Sequence, residues 1–492
     1  MSMFSQSSII GICGAGAMGA GIAQVAASAG HKVIVFDSFE GALGSGQKRI
    51  LAGAAALLKR GKISEGEAQA LSKRITWSDK LEALKPCDLI IEAVIESLDV
   101  KTELFQCLEA ICSDHTYLAT NTSSLSVSGL SATLKRPQNF LGLHFFNPAP
   151  VMKLVEVISG LRTNPEAVKA CFSLMEDWGK QAVLAKDVPG FIVNRVARPF
   201  YSEGWQAYEE GVADYATLDH LFRSLGRFRM GPLELGDLIG HDINSKAARS
   251  VFESYFGRTR FRPSLLQHQM HESGLLGRKS GQGVYHYGVG AKNGSITFEK
   301  EAIAEHIVNG PDMDRYPQVN RNGEFTSSLP KGFWLVDGVH VGFSYGQSAN
   351  ALSNKLSDHV AVLDCPLDYF ATECLAYSAN TERSDRAARA LITAFKKKAV
   401  RIADRPGALV FRTMLQLVNS ASDAVRDQVG SGESIDKALK YGVNYPFGPL
   451  EWAREYGFKK VIIALENIAH ETGDAQLYQP NQTLRAMAWR SS

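Results

Sequence analysis

His144 and Glu156, in the segment LGLHFFNPAPVMKLVEV (141–157), are the side chains of this sequence best suited to acid–base chemistry. The histidine closes one apolar run, the glutamate interrupts another just beyond a Pro-rich turn, and both stand among residues that favour burial. Oxidation of a hydroxyl to a carbonyl requires a base to take the hydroxyl proton, and imidazole is suited to this near neutral pH. His144 would be that base. A carboxylate on its other ring nitrogen would fix the tautomer and stabilise the imidazolium, the role assigned to Glu156. On spacing alone, a satisfied core histidine beside a surface glutamate fits the pattern equally well.

A second group of residues points to a hydride acceptor. Gly14, Gly16 and Gly19, with Ala17 and Met18 between the last two, follow an apolar run, Ser8–Cys13, and open an alanine-rich stretch, Met18–Ala29. Glycines there allow a tight turn and close approach of a pyrophosphate, whose charge the free N–H groups of the helix start would receive. In a chain with 44 glycines such a motif could also be a helix-packing turn. Its context favours dinucleotide binding: Asp37 ends the next apolar run, Lys32–Phe36, where a carboxylate can accept hydrogen bonds from ribose hydroxyls. The same charge would repel a 2′-phosphate, and Ser38 and Phe39 bring no arginine to offset it, so NAD is expected over NADP.

The elements that must position these groups read as strand, helix, strand from the start of the chain. Further apolar runs at Leu89–Val94, Tyr117–Ala119 and Leu141–Phe145 alternate with helical stretches at Ala42–Leu58 and Val100–Ile111. That alternation predicts a parallel sheet covered on both faces, a Rossmann-type α/β domain over 1–187. From Pro189 the pattern turns helical, with a β-like run only at Gly283–Tyr287, giving a helical domain over 188–287.

That helical domain has a copy. Residues 180–240 laid over 397–457 match at 16 of 61 positions without a gap, including Pro189-Gly190 over Pro406-Gly407 and Gly231-Pro-Leu-Glu234 over Gly448-Pro-Leu-Glu451. A second, duplicated helical domain is therefore expected over 401–492. Between the copies, Val339–Phe343, His359–Asp364 and Lys398–Ile402 read as strands, but no full glycine fingerprint accompanies them, so 288–400 is expected to be a short degenerate α/β segment. Asn194 aligns with Phe411, which predicts one active site per chain.

GAGAMGAGIAQ (14–24), NTSSLS (121–126), GLHFFNPAPVMKLVEV (142–157), PGFIVNR (189–195) and MGPLEL (230–235) together resemble the L-3-hydroxyacyl-CoA dehydrogenase family, in family order over residues 1–287. The resemblance implies reversible, NAD-dependent oxidation of an L-3-hydroxyacyl-CoA to the 3-oxoacyl-CoA. It places the base on His144 and its carboxylate on Glu156, and puts Ser123 and Asn194 at the substrate. It sets Glu96, Lys101, Asn121, Asn147 and Lys279 near the NAD. Without it, Glu96 and Lys101 would read as a solvated pair at a helix start. Lys59, Arg60 and Lys62 lie near where the family contacts CoA phosphates, although a solvated basic face explains them as well. The duplicated domain and the stretches GFIVNRVARPFYSEGW and GVNYPFGPLEW resemble family members whose acyl chain ends in a carboxylate, and Arg198, one helical turn beyond Asn194, is a candidate to receive it, with a buried structural role as the other reading.

Composition bounds the rest. Apolar residues make up 45% and charged residues 21% of 492, as in ordinary globular proteins, and a formal charge of +2 gives no nucleic-acid surface. Seven cysteines without CxxC spacing suit reduced thiols, and no metal site is expected. The start of the chain has no basic n-region and no stretch is apolar enough for a membrane span, so a cytoplasmic protein is expected. Pairing of the two helical domains within one chain would replace a dimer contact, while leaving a homodimer open. A short-chain 3-hydroxybutyryl-CoA dehydrogenase and a CoA-independent hydroxyacid dehydrogenase are the alternatives that substrate screening separates, and a non-catalytic NAD-binding protein is the alternative from a different class.

Overall fold

The computed structural model describes residues 3–61, 63–310 and 329–490. The chain divides into two compact units, Met1–Arg195 with Asp427–Val443, and Val196–Arg426 with Asn444–Ser492.

In the first unit strands and helices alternate: β1 (Ile9–Cys13), α1 (Ala17–Ser28), β2 (Lys32–Phe36), α2 (Ala42–Lys59), α3 (Glu65–Lys73), β3 (Ile75–Ser78), β4 (Leu89–Glu92), α4 (Leu98–Ile111), β5 (Tyr117–Thr120), α5 (Val127–Ser131), β6 (Phe140–Phe145), β7 (Leu154–Ser159), α6 (Pro165–Asp177), β8 (Gln181–Lys186) and α7 (Val193–Val196). The sheet order is β3-β2-β1-β4-β5-β6-β7-β8. All neighbours are parallel except β6 and β7. β4 and β6 are buried at every residue, as continuous apolar runs covered on both faces must be. Strand order reverses between β1 and β4, which opens a crevice at their carboxyl ends, where the glycine loop begins. A distant segment completes this unit: the helix Gly432–Gly442 packs on β7 and β8. The Lys186 N–H donates to Val429 O at 2.9 Å, and Arg195 pairs with Asp427.

The second unit begins with α8 (Arg198–Glu209), α9 (Tyr215–Ser224), α10 (Pro232–Ile239), α11 (His241–Ser254) and α12 (Leu265–Glu272). Then follow β9 (Ile307–Asn309), β10 (Phe333–Val336), β11 (Val339–Phe343), α13 (Ala349–Ser353), β12 (Val360–Leu363), β13 (Cys374–Ala379), α14 (Glu382–Ala394), β14 (Lys398–Arg401) and α15 (Val410–Arg426). After the helix Gly432–Gly442 (α16), the chain returns as α17 (Pro449–Tyr456), α18 (Phe458–Thr472), α19 (Ala475–Tyr478) and α20 (Gln482–Arg490). The expected run at Gly283–Tyr287 forms isolated bridges, Gly277 with Gln282 and Gln282 with His286, instead of a strand. Its backbone is spent on Asp237, which accepts the N–H groups of Val284 and Tyr285.

The internal repeat is visible in backbone geometry. Phe191 and Ala408, Arg227 and Asn444, and Gly240 and Gly457, each 217 residues apart, all have positive φ. Left-handed backbone is unfavourable for the non-glycine residues, so its recurrence at one offset marks the same local structure twice. β14 likewise lies 217 residues after β8. The parallel, antiparallel, parallel pairing of β5-β6-β7-β8 recurs in β11-β12-β13-β14. Asp187 accepts the N–H groups of Val127 and Ser128 that open α5, and Asp404 those of Ala349 and Asn350 that open α13. The second sheet, order β14-β13-β12-β11-β10-β9, thus repeats the last four strands of the first. It continues into β10 and β9, each antiparallel to its neighbour, in place of β4, β1, the glycine loop and Asp37.

Candidate active site

β1 delivers the chain into the glycine loop with Gly14 at φ 103°. At Gly19 a Cβ would lie 1.9 Å from Gly14 O, and at Gly16 it would stand in open space at the start of α1. The first is needed for the close strand-to-helix turn; the second leaves the backbone approachable by a phosphate. α1, whose first residues are Ala17 and Met18, has no side-chain cap, so its leading N–H groups stay available to an anion. Asp37 braces the loop, accepting the Ala15 N–H at 2.7 Å and the Phe39 N–H at 2.9 Å, and each oxygen keeps a lone pair for a ribose hydroxyl. These residues fit NAD.

His144 and Glu156 face each other across the antiparallel β6–β7 pair. Nδ1 of His144 meets Glu156 Oε2 at 2.6 Å, with the imidazole 6% exposed and the carboxylate fully buried. A carboxylate accepts only, so Nδ1 carries the proton and Nε2 keeps its lone pair, the form a general base requires. The other carboxylate oxygen accepts the N–H groups of Ile192 and Val193, at 2.9 and 3.0 Å, at the entry to the short helix that carries Asn194. One buried group therefore orients the imidazole and anchors the Asn194 segment. Phe146 and Phe191 pack on the imidazole, with centroids 4.5 and 5.8 Å away.

A cavity of about 370 Å³ in this unit is lined by His144, Ser123, Asn194, Asn121, Asn147, Glu96, Lys101 and Met18. Glu96 is not a solvated surface charge: it accepts from Thr122 Oγ1, Ser124 Oγ and the Ser123 N–H, and pairs with Lys101 at 3.0 Å. Burial would raise its pKa, but Lys101 and these hydrogen bonds outweigh it and hold the carboxyl below its ordinary value. Lys101 is 1% exposed, because Glu92 at the end of β4 holds it from below at 2.6 Å. Glu92 also accepts from Thr120 Oγ1 and the Val94 N–H. The sequence reading missed this residue. Its signal was a carboxylate closing the apolar run LIIE, which burial would leave in need of a cation. Asn121 Oδ1 accepts the Phe145 N–H at 2.8 Å and so ties β5 to the strand end beside His144.

Other expected residues fall elsewhere. Lys59 and Arg60 are exposed at the end of α2, and Lys62 lies outside the described residues. Lys279, in the second unit, pairs with Asp242. The helical turn expected to join Asn194 to Arg198 is interrupted: α7 stops at Val196 and α8 starts at Arg198, with Pro199 in its first turn, where a missing N–H is tolerated.

In the second sheet the site has been rewritten. Tracing register through β14, the strand position of Glu156 is taken by Ala376, and that of His144, directly opposite, by Asp364, whose N–H donates to Ala376 O. Asp364 accepts the N–H groups of Leu409, Val410 and Phe411, so the helix anchor is kept and the histidine is gone.

Residues 9–188 match the family model for the 3-hydroxyacyl-CoA dehydrogenase NAD binding domain, and 190–287 and again 407–490 match its C-terminal domain. Residues 341–406 match the 3-hydroxybutyryl-CoA dehydrogenase reduced Rossmann-fold domain. A 3-hydroxyadipyl-CoA dehydrogenase of Escherichia coli K12 is 40% identical over 97% of both chains, and a probable 3-hydroxybutyryl-CoA dehydrogenase of Bacillus subtilis is 42% identical over 56% of this chain and 96% of its own. The crystal structure of a 3-hydroxybutyryl-CoA dehydrogenase from Escherichia coli K12 superposes with a TM-score of 0.90 at 39% identity, covering 99% of each chain. With a glycine loop fit for NAD and a buried histidine bonded to a carboxylate in the same unit, the chain belongs to the 3-hydroxyacyl-CoA dehydrogenase family.

Proposed function

We propose that this NAD-dependent 3-hydroxyacyl-CoA dehydrogenase acts on 3-hydroxyadipyl-CoA, giving 3-oxoadipyl-CoA in phenylacetate breakdown. The observation that carries the reading is the full-length match, through both helical copies, to a relative of that name. A short-chain reading, 3-hydroxybutyryl-CoA, is favoured by the name of the similar crystal structure. NADH oxidation with 3-oxoadipyl-CoA and acetoacetyl-CoA side by side separates them; preference for acetoacetyl-CoA would overturn the dicarboxylic reading.

NAD, when bound, supplies the hydride acceptor. His144 Nε2 takes the proton of the C3 hydroxyl, Glu156 stabilises the imidazolium, and Ser123 and Asn194 donate hydrogen bonds to the reacting oxygen or the thioester carbonyl. The glycine loop and Asp37 receive the adenosine half of the cofactor. Glu96, Lys101, Asn121 and Asn147 stand near the NAD, and Lys59, Arg60 and Lys62 serve the CoA phosphates. Seven free cysteines suit a cytoplasmic setting.

The two helical copies pair within the chain in place of a dimer contact. Reciprocal bonds support this: Lys186 N–H donates to Val429 O, and 217 residues on, Ala403 N–H donates to Val212 O, both at 2.9 Å. Each sheet thereby receives a strand-end contact from the other helical copy, as in a self-complementary interface. Size-exclusion chromatography with light scattering tests the oligomeric state; a chain that assembles through its helical face would count against internal pairing.

A further inference from the structure

α16 belongs to the second helical copy, yet it lies in the first unit, against β7 and β8. Glycines bracket it. A Cβ on Gly430 would stand 3.0 Å from Ile192 Cδ1 and 3.3 Å from Leu184 O. One on Gly442, the last residue of α16, would stand 2.5 Å from Leu154 Cδ2, 3.2 Å from Val193 Cγ2 and 3.6 Å from Phe146 Cε1. These neighbours lead to one buried pair. Ile192 and Val193 donate their N–H groups to Glu156. Phe146 packs on the His144 imidazole. Leu154 lies two residues before Glu156 on β7, and so on the same face of the sheet. A shift of the α16 end therefore reaches both members of the pair through close-packed side chains.

The repeat shows that the fold does not demand these glycines. At the fixed offset of 217, Gly430 corresponds to Ala213 and Gly442 to Leu225, which flank α9. Register through β8 and β14 makes Cys374 the counterpart of Leu154. Ser224 Oγ meets Cys374 Sγ at 3.3 Å, so the end of α9 meets the start of β13 as the end of α16 meets the start of β7. Leu225 and Cys374 are both fully buried. Large and small side chains have changed places: leucine on the strand and glycine on the helix beside His144, cysteine on the strand and leucine on the helix where Asp364 stands instead. In a close-packed interior a larger residue on the helix requires a smaller one on the strand.

We propose that Gly442 is a positioning residue for the dehydrogenase reaction: the end of α16 fixes Leu154, Val193 and Phe146, and through them the geometry of His144 and Glu156. The inference rests on the reading of His144 as the base. The second helical copy then contributes directly to the site of the first unit.

The test is made in the full chain with Gly442→Ala, Gly442→Leu and the double variant Leu154→Cys/Gly442→Leu, which transplants the pair of the other copy. For each, kcat and KM for NADH are measured with the better of the two 3-oxoacyl-CoA substrates above, together with the melting temperature. The proton resonance of the imidazole Nδ1–H, assigned by its loss in His144→Gln, reports the bond to Glu156 independently of turnover. Gly442→Ala is expected to move that resonance and lower kcat on the order of 10-fold, and Gly442→Leu on the order of 100-fold, the scale of a small misplacement of a reacting group. KM for NADH should stay within a few-fold. The double variant should recover the resonance and most of kcat. If the resonance moves and recovers while turnover ignores both changes, the positioning stands and His144 falls as the base. A lower melting temperature with the resonance unmoved would make Gly442 structural only and overturn the proposal, as would a double variant no better than Gly442→Leu. Should Gly442→Leu not fold, the resonance and kcat of Gly442→Ala decide.

Discussion

Glu156 and Asp364 each receive the N–H groups that open a helix, at 2.9–3.0 Å and 2.8–3.3 Å, yet only Glu156 also faces a histidine. Its two oxygens can be tested apart. In Glu156→Gln, Oε1 can still accept from Ile192 and Val193, while the amide N–H now points at His144 Nδ1 and forces the proton to Nε2. A base with its lone pair turned away should cost on the order of 10³- to 10⁴-fold in kcat with little change in melting temperature. Glu156→Ala should lose stability as well. Equal melting losses in both variants would refute the division of labour.

His144→Gln should abolish turnover while NADH affinity, read by fluorescence titration, stays within a few-fold. The loop that receives the cofactor takes no hydrogen bond from this imidazole, which bonds Glu156. Retained activity would remove His144 as the base.

Asp37→Ala should weaken NAD more than it changes acyl-CoA binding, because the carboxylate braces Ala15 in the glycine loop and keeps lone pairs that a ribose hydroxyl can use. An unchanged dissociation constant for NAD by calorimetry would take Asp37 out of the site.

The glycine loop, Asp37, His144 and Glu156 could be read before any fold was known because each ends or interrupts a short apolar run, and such runs mark strands locally. Glu92 was harder. Its partner Lys101 lies on the next helix, and nothing in LIIEAV says which charge will neutralise it until α4 folds back. The exchange of Glu156 for Ala376 and of His144 for Asp364 depends on strand register, and β13 was not foreseen, so the acid moved across the strand pair without a sequence signature. Likewise the helix Gly432–Gly442 reads as part of its own repeat, and only packing on β7 and β8 assigns it to the first unit.

Glu92 and Lys101 give a sharper prediction than either alone. Removing the carboxylate in Glu92→Gln leaves an almost fully buried ammonium with Glu96, itself partly exposed, as its remaining acid, and should cost about 3 kcal/mol. Lys101→Met alone leaves the Glu92 charge with only Thr120 and Val94 as donors. The double variant should lose less than the sum of the singles by urea unfolding; strict additivity would mean the pair is not coupled.

Asp364 should make the second unit less stable as pH rises through 6. Burial pushes its carboxyl up to about 6, against the opposing N–H groups of Phe411, Val410 and Leu409, from an ordinary value of 3.8. The folded chain therefore holds this proton more tightly than the unfolded chain. The resulting stability is fully present below pH 3.8, and it is lost as pH rises through 6. Asp219, raised to about 6 by burial despite bonds from Tyr285, Leu233 and Glu234, acts in the same sense. Asp364→Asn removes one titration, so the stability of the parent relative to this variant should fall by about 1 kcal/mol between pH 5 and pH 7. Urea midpoints at pH 5, 6 and 7 for both chains measure it. A difference that stays constant would show that Asp364 holds α15 as a permanently ionised cap, and one that grows with pH would reverse the assignment of its charge.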